Sequence, residues 1–434
     1  MQRFADKLNN LQLNKVLIVL RNSGSVWQKG FIKGLEKKRA VVDLADPLTR
    51  EGAQNYPEQF ISSMEKPALI YNLQRVPELL PLLAKAEVPN GSFIAVTEQS
   101  YYLLAKLQQD DAGAEQAREA KQISEGSLAV VELPLEEGEE PAFVPSLAIL
   151  QTKQPKNVLE CVVQGSLFKQ EGAQRKQPQA FYAAYIKRIV QQQIMEQTTV
   201  SDDIKFYRFL CMAASMTGTV VNYFRLASTV GITAPTAKQW LQFLAGTGVV
   251  YLLQPLEKVG SKRLVKAPKL YFRDTGMAAQ LLQLDDGISV MKSVYCKNLL
   301  ENYVVNQIRE SYLQQGEVPQ LLFYKDSNYK EISLILCAEG KVYPIAITKD
   351  EVSLRKLYKD FQLLAPFAEE QGLELTKGCI IGLGKSEAFW KMGLCISRQK
   401  RCKNYRSFYC TPVQIVVIYI KQVCKFMHRG GRVS

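Results

Sequence analysis

Residues 217–253 read TGTVVNYFRLASTVGITAPTAKQWLQFLAGTGVVYLL, and this stretch decides how the chain is divided. Asn222 to Val230 places Phe224, Leu226, Ala227 and Val230 on one helical face, Gly231-Ile232-Thr233 makes a turn, and Pro235 to Leu244 supplies a second helix. Thr233 is a natural N-cap, because its hydroxyl can accept from a backbone N–H that a helix start leaves unpaired. Pro235 falls in the first turn, where a missing N–H costs nothing. Trp240, Leu241 and Leu244 recur at helical spacing as a buried face, which leaves Thr236, Lys238, Gln239 and Gln242 outside. Val249 to Leu253 then reads as a strand, and Lys258 to Lys269 as a basic loop before Leu270-Tyr271-Phe272. Two helices, a tight turn, a strand and a basic loop are the pattern of a winged helix. The second helix and the loop are the candidate DNA face, through Thr236, Lys238, Gln239, Lys262, Arg263 and Lys266, with Lys258 beside them; the alternative is a packing module between domains.

A chain of 434 residues is too long for one core. Its 47% hydrophobic and 22% charged content is ordinary for a globular protein. The formal charge is +13, but the stretch after Ser397 holds nine Lys and Arg and no Asp or Glu, so the body is only mildly basic. No charged segment followed by an apolar run opens the chain, and no apolar run is long enough to span a membrane, so a cytoplasmic protein is expected. The nine Cys are scattered without C-x-x-C spacing and the one histidine is His428, which suggests neither a disulfide framework nor a His-containing zinc site. One histidine also removes most acid-base mechanisms, so any chemistry would have to run on carboxylates, Lys, Tyr, Cys or a metal held by oxygens.

Upstream, Lys15 to Leu20 is an apolar strand that turns at Arg21-Asn22-Ser23-Gly24-Ser25 into a helical stretch from Val26. Further strands at Ala40–Leu44, Ala68–Tyr71, Phe93–Val96 and Leu128–Leu133 alternate with helical segments. That alternation predicts a parallel sheet covered on both faces over residues 1–135. Residues 136–203 read as a linker and helical region, 204–265 as the winged helix, 266–385 as a small α/β module, and 386–434 as a basic, Cys-containing tail without expected structure. Within the tail, Val413–Ile420 is a short apolar run. The tail reads either as appended unselected residues or as an anchor for nucleic acid or acidic lipid.

Three stretches carry a family resemblance: Val42-Asp43-Leu44-Ala45-Asp46-Pro47, Leu73-Gln74-Arg75-Val76-Pro77-Glu78-Leu79-Leu80, and Lys262 to Gly276, KRLVKAPKLYFRDTG. They resemble the prokaryotic AAA-type ATP-binding proteins, from about Phe4 to Leu383. The resemblance implies a P-loop ATPase domain, a winged helix and a C-terminal domain similar to the PD-(D/E)xK nucleases. It also implies ATP and magnesium as the family's cofactors, whereas no cofactor is expected to bind productively in this chain.

The departures from that pattern are as informative as the matches. A phosphate loop needs Gly-x-x-x-x-Gly-Lys-Ser/Thr, because backbone N–H groups must approach the phosphates, the lysine reaches their oxygens, and the hydroxyl holds magnesium. Here Gly24 remains, Ser25 stands at the lysine position and Val26 at the hydroxyl position. Residual cofactor contact would rest on Arg21, Asn22 and Gly24. The family's acidic pair after the third strand falls on Tyr71 and Asn72, its Thr-Gly-Ser on Val96-Thr97-Glu98, and its basic residue near the fifth strand on Ser127. In the nuclease-like part the helix Glu, strand Asp and Glu-x-Lys align with Glu301, Ser333, Ala346 and Thr348, with Glu331 on the face of Ser333. Lys349 is one residue from the lysine position and so points to the opposite face.

The expectation is a catalytically inactive relative of these ATPases, without catalytic or metal residues, acting as a DNA-associated or protein-binding scaffold. Its partners would be DNA, bound without sequence preference, and protein. An ATPase with a non-standard or partner-completed site is the alternative, and a metal-dependent nuclease using Glu301 and Glu331 is a third reading.

Overall fold

The computed structural model describes residues 14–20, 25–97, 128–135, 142–143, 158–170, 177–189, 203–257, 264–349, 354–382 and 416–419. The expectations at Arg21, Asn22, Gly24, Glu98, Ser127, Lys258, Lys262 and Arg263, and on most of the tail, lie outside these residues.

The first five strands are β1 (Val16–Leu20), β2 (Ala40–Asp43), β3 (Ala68–Tyr71), β4 (Phe93–Thr97) and β5 (Leu128–Glu132). They form one parallel sheet in the order β2-β3-β4-β1-β5. The apolar run of β1 follows from double-sided burial. Val16 and Ile18 join one core with Ala68, Ile70, Phe93 and Ala95, while Leu17 and Val19 join the core on the other face with Leu69, Ile94 and Val96. Helices α1 (Val26–Glu36), α2 (Pro47–Asn55), α3 (Pro57–Ser63) and α4 (Leu79–Lys85) alternate with the strands. Because β1 has β4 on one side and β5 on the other, the chain's direction across the sheet reverses there. In open α/β sheets the ligand crevice lies beyond the strand C-termini at such a point.

A second body begins with α5 (Val158–Gln170), α6 (Pro178–Arg188) and α7 (Asp203–Ser215). Next come β6 (Thr219–Val220), α8 (Tyr223–Val230), α9 (Ala234–Gly246), β7 (Val250–Pro255) and β8 (Lys269–Phe272). Then follow α10 (Thr275–Leu281), α11 (Gly287–Lys292), α12 (Cys296–Leu313), β9 (Gln320–Lys325), β10 (Glu331–Ala338) and β11 (Lys341–Thr348). The chain continues through α13 (Leu354–Phe361), α14 (Ala365–Glu370), β12 (Glu374–Leu375), β13 (Cys379–Gly382) and β14 (Val416–Tyr419). A short 3-10 turn separates α13 from α14, and Pro366 lies in the first turn of α14.

The boundary expected between residues 265 and 266 is crossed by one continuous sheet. Its order is β14-β13-β11-β10-β9-β7-β8-β6, with β12 beside β11. The join is the parallel pairing of Gln254 with Leu322 and of Pro255 with Phe323. The strand β14 lies within the tail read as structureless, and it pairs in parallel with β13 from Cys379–Val416 to Gly382–Tyr419.

Candidate functional site

At the carboxyl end of β1 the chain turns into α1, and a helix start there is a natural anion site because its N–H groups point outward. Ser25 caps it from within. Its hydroxyl oxygen accepts from the N–H of Gln28 at 3.2 Å, and the same hydroxyl donates to the carbonyl of Leu135 at 2.9 Å. The Gln28 amide nitrogen donates to the carbonyls of Leu133 and Pro134, and both Ser25 and Gln28 are buried. The segment after β5 therefore lies over the start of α1.

The positions aligned with the acidic pair are equally engaged. The Tyr71 hydroxyl donates to Glu36 at 2.7 Å. Asn72, in the left-handed region with φ 57°, donates to Asp43 at 2.7 Å, and Asp43 also accepts from the N–H of Ala45. Thr97 donates to the side-chain oxygen of Gln74 at 3.0 Å. Glu36 and Asp43 are the carboxylates in this set, each accepting from a neighbouring side chain, and magnesium beside phosphates needs carboxylates aimed at the metal. None of the aligned positions Tyr71, Asn72 and Thr97 supplies a carboxylate of its own.

The paired helices expected from residues 217–253 form, with Gly231 in the left-handed region (φ 76°) closing α8 and Thr233 capping α9. Leu226, Ala227 and Val230 are buried, as are Trp240, Leu241 and Leu244. Phe224 is the exception at 77% exposed: at about 100° per residue it falls off the stripe of Leu226, Ala227 and Val230, which Tyr223 joins instead. Lys238 and Gln239 are exposed on α9 and Lys266 is exposed before β8, so these sites can face a partner. Thr236 is half-buried, and its hydroxyl lies 2.8 Å from that of Thr233, so it belongs to the helix cap.

Lys269 is a correction. It stands at the end of the stretch read as a basic loop, yet it is 1% exposed at the start of β8. Its ammonium donates to Glu301 on α12 at 2.8 Å and pairs with Glu331 on β10 at 2.6 Å. Tyr271, two residues along the same face of β8, donates its hydroxyl to the same Glu301 oxygen at 2.7 Å. Lys325, opposite Glu331 in the ladder, binds the other Glu331 oxygen at 2.8 Å. Burial opposes charge on Lys269, but the two carboxylates outweigh it and raise the ammonium above its ordinary value. Burial, and then Glu301, push the Tyr271 phenol well up. Of the other aligned positions, Ser333 and Ala346 are buried and Thr348 is half-buried, and none of the three supplies a carboxylate. Among the described residues no group of three or more His, Cys, Asp or Glu could hold a metal.

Two further constellations escaped the sequence reading. Asp274 caps α10 through the N–H of Met277 at 3.1 Å, and it also accepts from the N–H groups of Ser166 and Leu167 on α5. Burial pushes its carboxyl up against the pull of these donors. In the second constellation Glu132, at the end of β5, is gripped by the guanidiniums of Arg273 and Arg309, and Glu310 receives both Arg273 and the N–H of Leu135. Burial and the neighbouring Arg309 charge pull Arg273 down to about 10, still fully charged at neutral pH. The two bodies are joined there.

Comparison with known proteins adds names without activities. Residues 167–287 match a domain of unknown function, DUF8612. Residues 296–396 match another, DUF4143, which is often found in AAA-ATPase-like proteins. Uncharacterized proteins of Mycobacterium bovis and Mycobacterium tuberculosis are each 27% identical over 158 residues, which is 35% of this chain and 35% of each relative. No solved structure matches. Among the described residues no helix is long and apolar enough to cross a membrane.

Proposed function

We propose that this chain is a non-catalytic relative of the AAA-type ATP-binding proteins that works in the cytoplasm as a DNA-associated scaffold. On this reading the five-stranded parallel sheet is a P-loop-like domain that has lost its nucleotide. The helices α7 to α9 with β6 to β8 are a winged helix, and α12 with β9 to β13 is a nuclease-like module without metal chemistry. The observation that carries the proposal is Ser25. Where the family's pattern has a phosphate-binding lysine, a buried hydroxyl ties the start of α1 to Leu135, and the neighbouring Gln28 ties it to Leu133 and Pro134. A phosphate placed there would have to displace this segment, and neither Tyr71 nor Asn72 brings the carboxylate that the family's pattern uses for its magnesium.

Thermal unfolding of the full chain with increasing magnesium-ATP tests the proposal. A ligand of the native state at a hundred times its dissociation constant adds about 2.7 kcal/mol, a shift that melting readily detects. The expected melting temperature is unchanged. A rise that depends on magnesium and is lost on changing Arg21 would instead favour the ATP-binding alternative.

A further inference from the structure

We propose that Lys269 is the resident cation of the Glu301–Glu331 pocket: its ammonium stands between two converging carboxylates that would otherwise recruit a divalent metal, making the pocket a metal-independent clasp. The proposal is independent of the nucleotide reading, since it concerns a different body of the molecule.

Three elements meet at this point. Glu301 comes from the buried face of α12, Glu331 from the first residue of β10, and Lys269 from the first residue of β8. Two carboxylates from separate elements aimed at one point repel each other and call for a cation. A divalent ion would gather several oxygens as ligands, whereas an ammonium meets them through directed hydrogen bonds. Lys269 supplies those bonds at 2.8 and 2.6 Å, and its ammonium also lies 5.3 Å from the centre of the Phe323 ring. Lys325 and Tyr271 then take further acceptor positions on Glu331 and Glu301. Lysine suits this role because its charge is compact and its three donors can turn toward separate acceptors. Two ammoniums face two carboxylates, so the pocket is neutral without any ion from solution. A metal entering it would meet Lys269 where it needed to bind.

The test uses full-length protein stripped with EDTA and manganese(II) as the probe, followed by the spin-resonance signal of free manganese and by thermal unfolding. Wild type and Glu331→Gln should bind manganese equally, and manganese should leave the melting temperature of each unchanged. Lys269→Met should gain one manganese equivalent and a manganese-dependent rise in melting temperature, both lost in Lys269→Met with Glu331→Gln. Two results would overturn the proposal: a manganese site in wild type that Glu331→Gln abolishes, or a folded Lys269→Met protein that gains none. Should Lys269→Met fail to fold, the wild-type comparison with Glu331→Gln still decides whether the pocket holds a metal.

Discussion

Glu331 shows how one residue's surroundings set the pH response of the fold. Burial would raise its carboxyl, but the ammoniums of Lys269 and Lys325 outweigh that and hold it at about 2, against an ordinary 4.5. The folded value is the lower one, so on acidification the unfolded chain takes up its proton first. The ion pair's stabilisation is therefore complete above about pH 4.5 and is lost as the pH falls toward 2. Asp274 and Glu310 cannot produce this acid limb, since burial raises both, which gives the opposite slope. Urea unfolding at a series of acid pH values should show wild type losing stability across that window and Glu331→Gln losing distinctly less. Parallel curves for the two proteins would mean that the carboxylate is not held by its lysines. The two carboxylates of this pocket were legible in the sequence. The cation between them was not, because a lysine after a basic stretch reads as solvated and its partner Glu301 lies 32 residues further on.

At the scale of elements, the stretch Arg273-Asp274-Thr275-Gly276 gains a physical reason. Asp274 caps α10 and, with the same carboxylate, the part of α5 that resumes after a kink at Gly165. Gly165 has φ 61° and ψ −179°, a conformation that residues with a Cβ avoid, and a Cβ there would overlap the Tyr182 hydroxyl and the Asp274 carboxylate. Gly276 is pressed against the Tyr182 ring in the same way. Gly165→Ala should therefore cost more than about 3 kcal/mol, strain and steric overlap together, read as a lowered urea midpoint. A loss below 1 kcal/mol would show that the kink relaxes without cost. Such a knot is invisible to local pattern, since Ser166 and Asp274 are 108 residues apart. Caps and periodicity, by contrast, were local enough to give α8 and α9 with their turn. Those helices carry the DNA reading, and there the relevant force is phosphate contact. Lys238 and Lys266 are exposed, and each phosphate neutralised contributes about −0.9 to the slope of log affinity against log salt. Lys238→Ala with Lys266→Ala should flatten that slope by up to about 2 in an anisotropy titration of duplex DNA, without changing preference among sequences. Loss of a sharp preference for one duplex on changing Gln239 alone would point to a sequence-reading regulator instead.

For the whole molecule, the question is whether two sheets with separate cores behave as one unit. The alternation of apolar strands and helices made the parallel sheet legible, because strands buried on both faces must be apolar throughout. The continuity of the second sheet was not legible, since its join is a two-residue parallel pairing between segments separated by the whole of β8 and α12. Nor was the contact between the bodies, which rests on charged residues that sequence pattern assigns to the surface. Glu132 leaves the end of β5 and meets Arg273 and Arg309, while Leu135 bridges the Ser25 hydroxyl and the Glu310 carboxylate. The segment that covers the start of α1 is thus also the segment held by the second body, so opening one should loosen the other. Removing one partner of a buried ion pair costs about 3 to 5 kcal/mol, because the remaining charge stays buried without compensation. In Glu132→Gln two guanidiniums lose their shared carboxylate, and the amide can offer only weaker, uncharged acceptance. Calorimetry should then show wild type melting in one transition and the variant splitting, with the parallel-sheet body unfolding first and the larger body near its original temperature. A single unshifted transition in the variant would mean that the bodies are coupled elsewhere and that the Arg273–Glu132–Arg309 contact is incidental to their union.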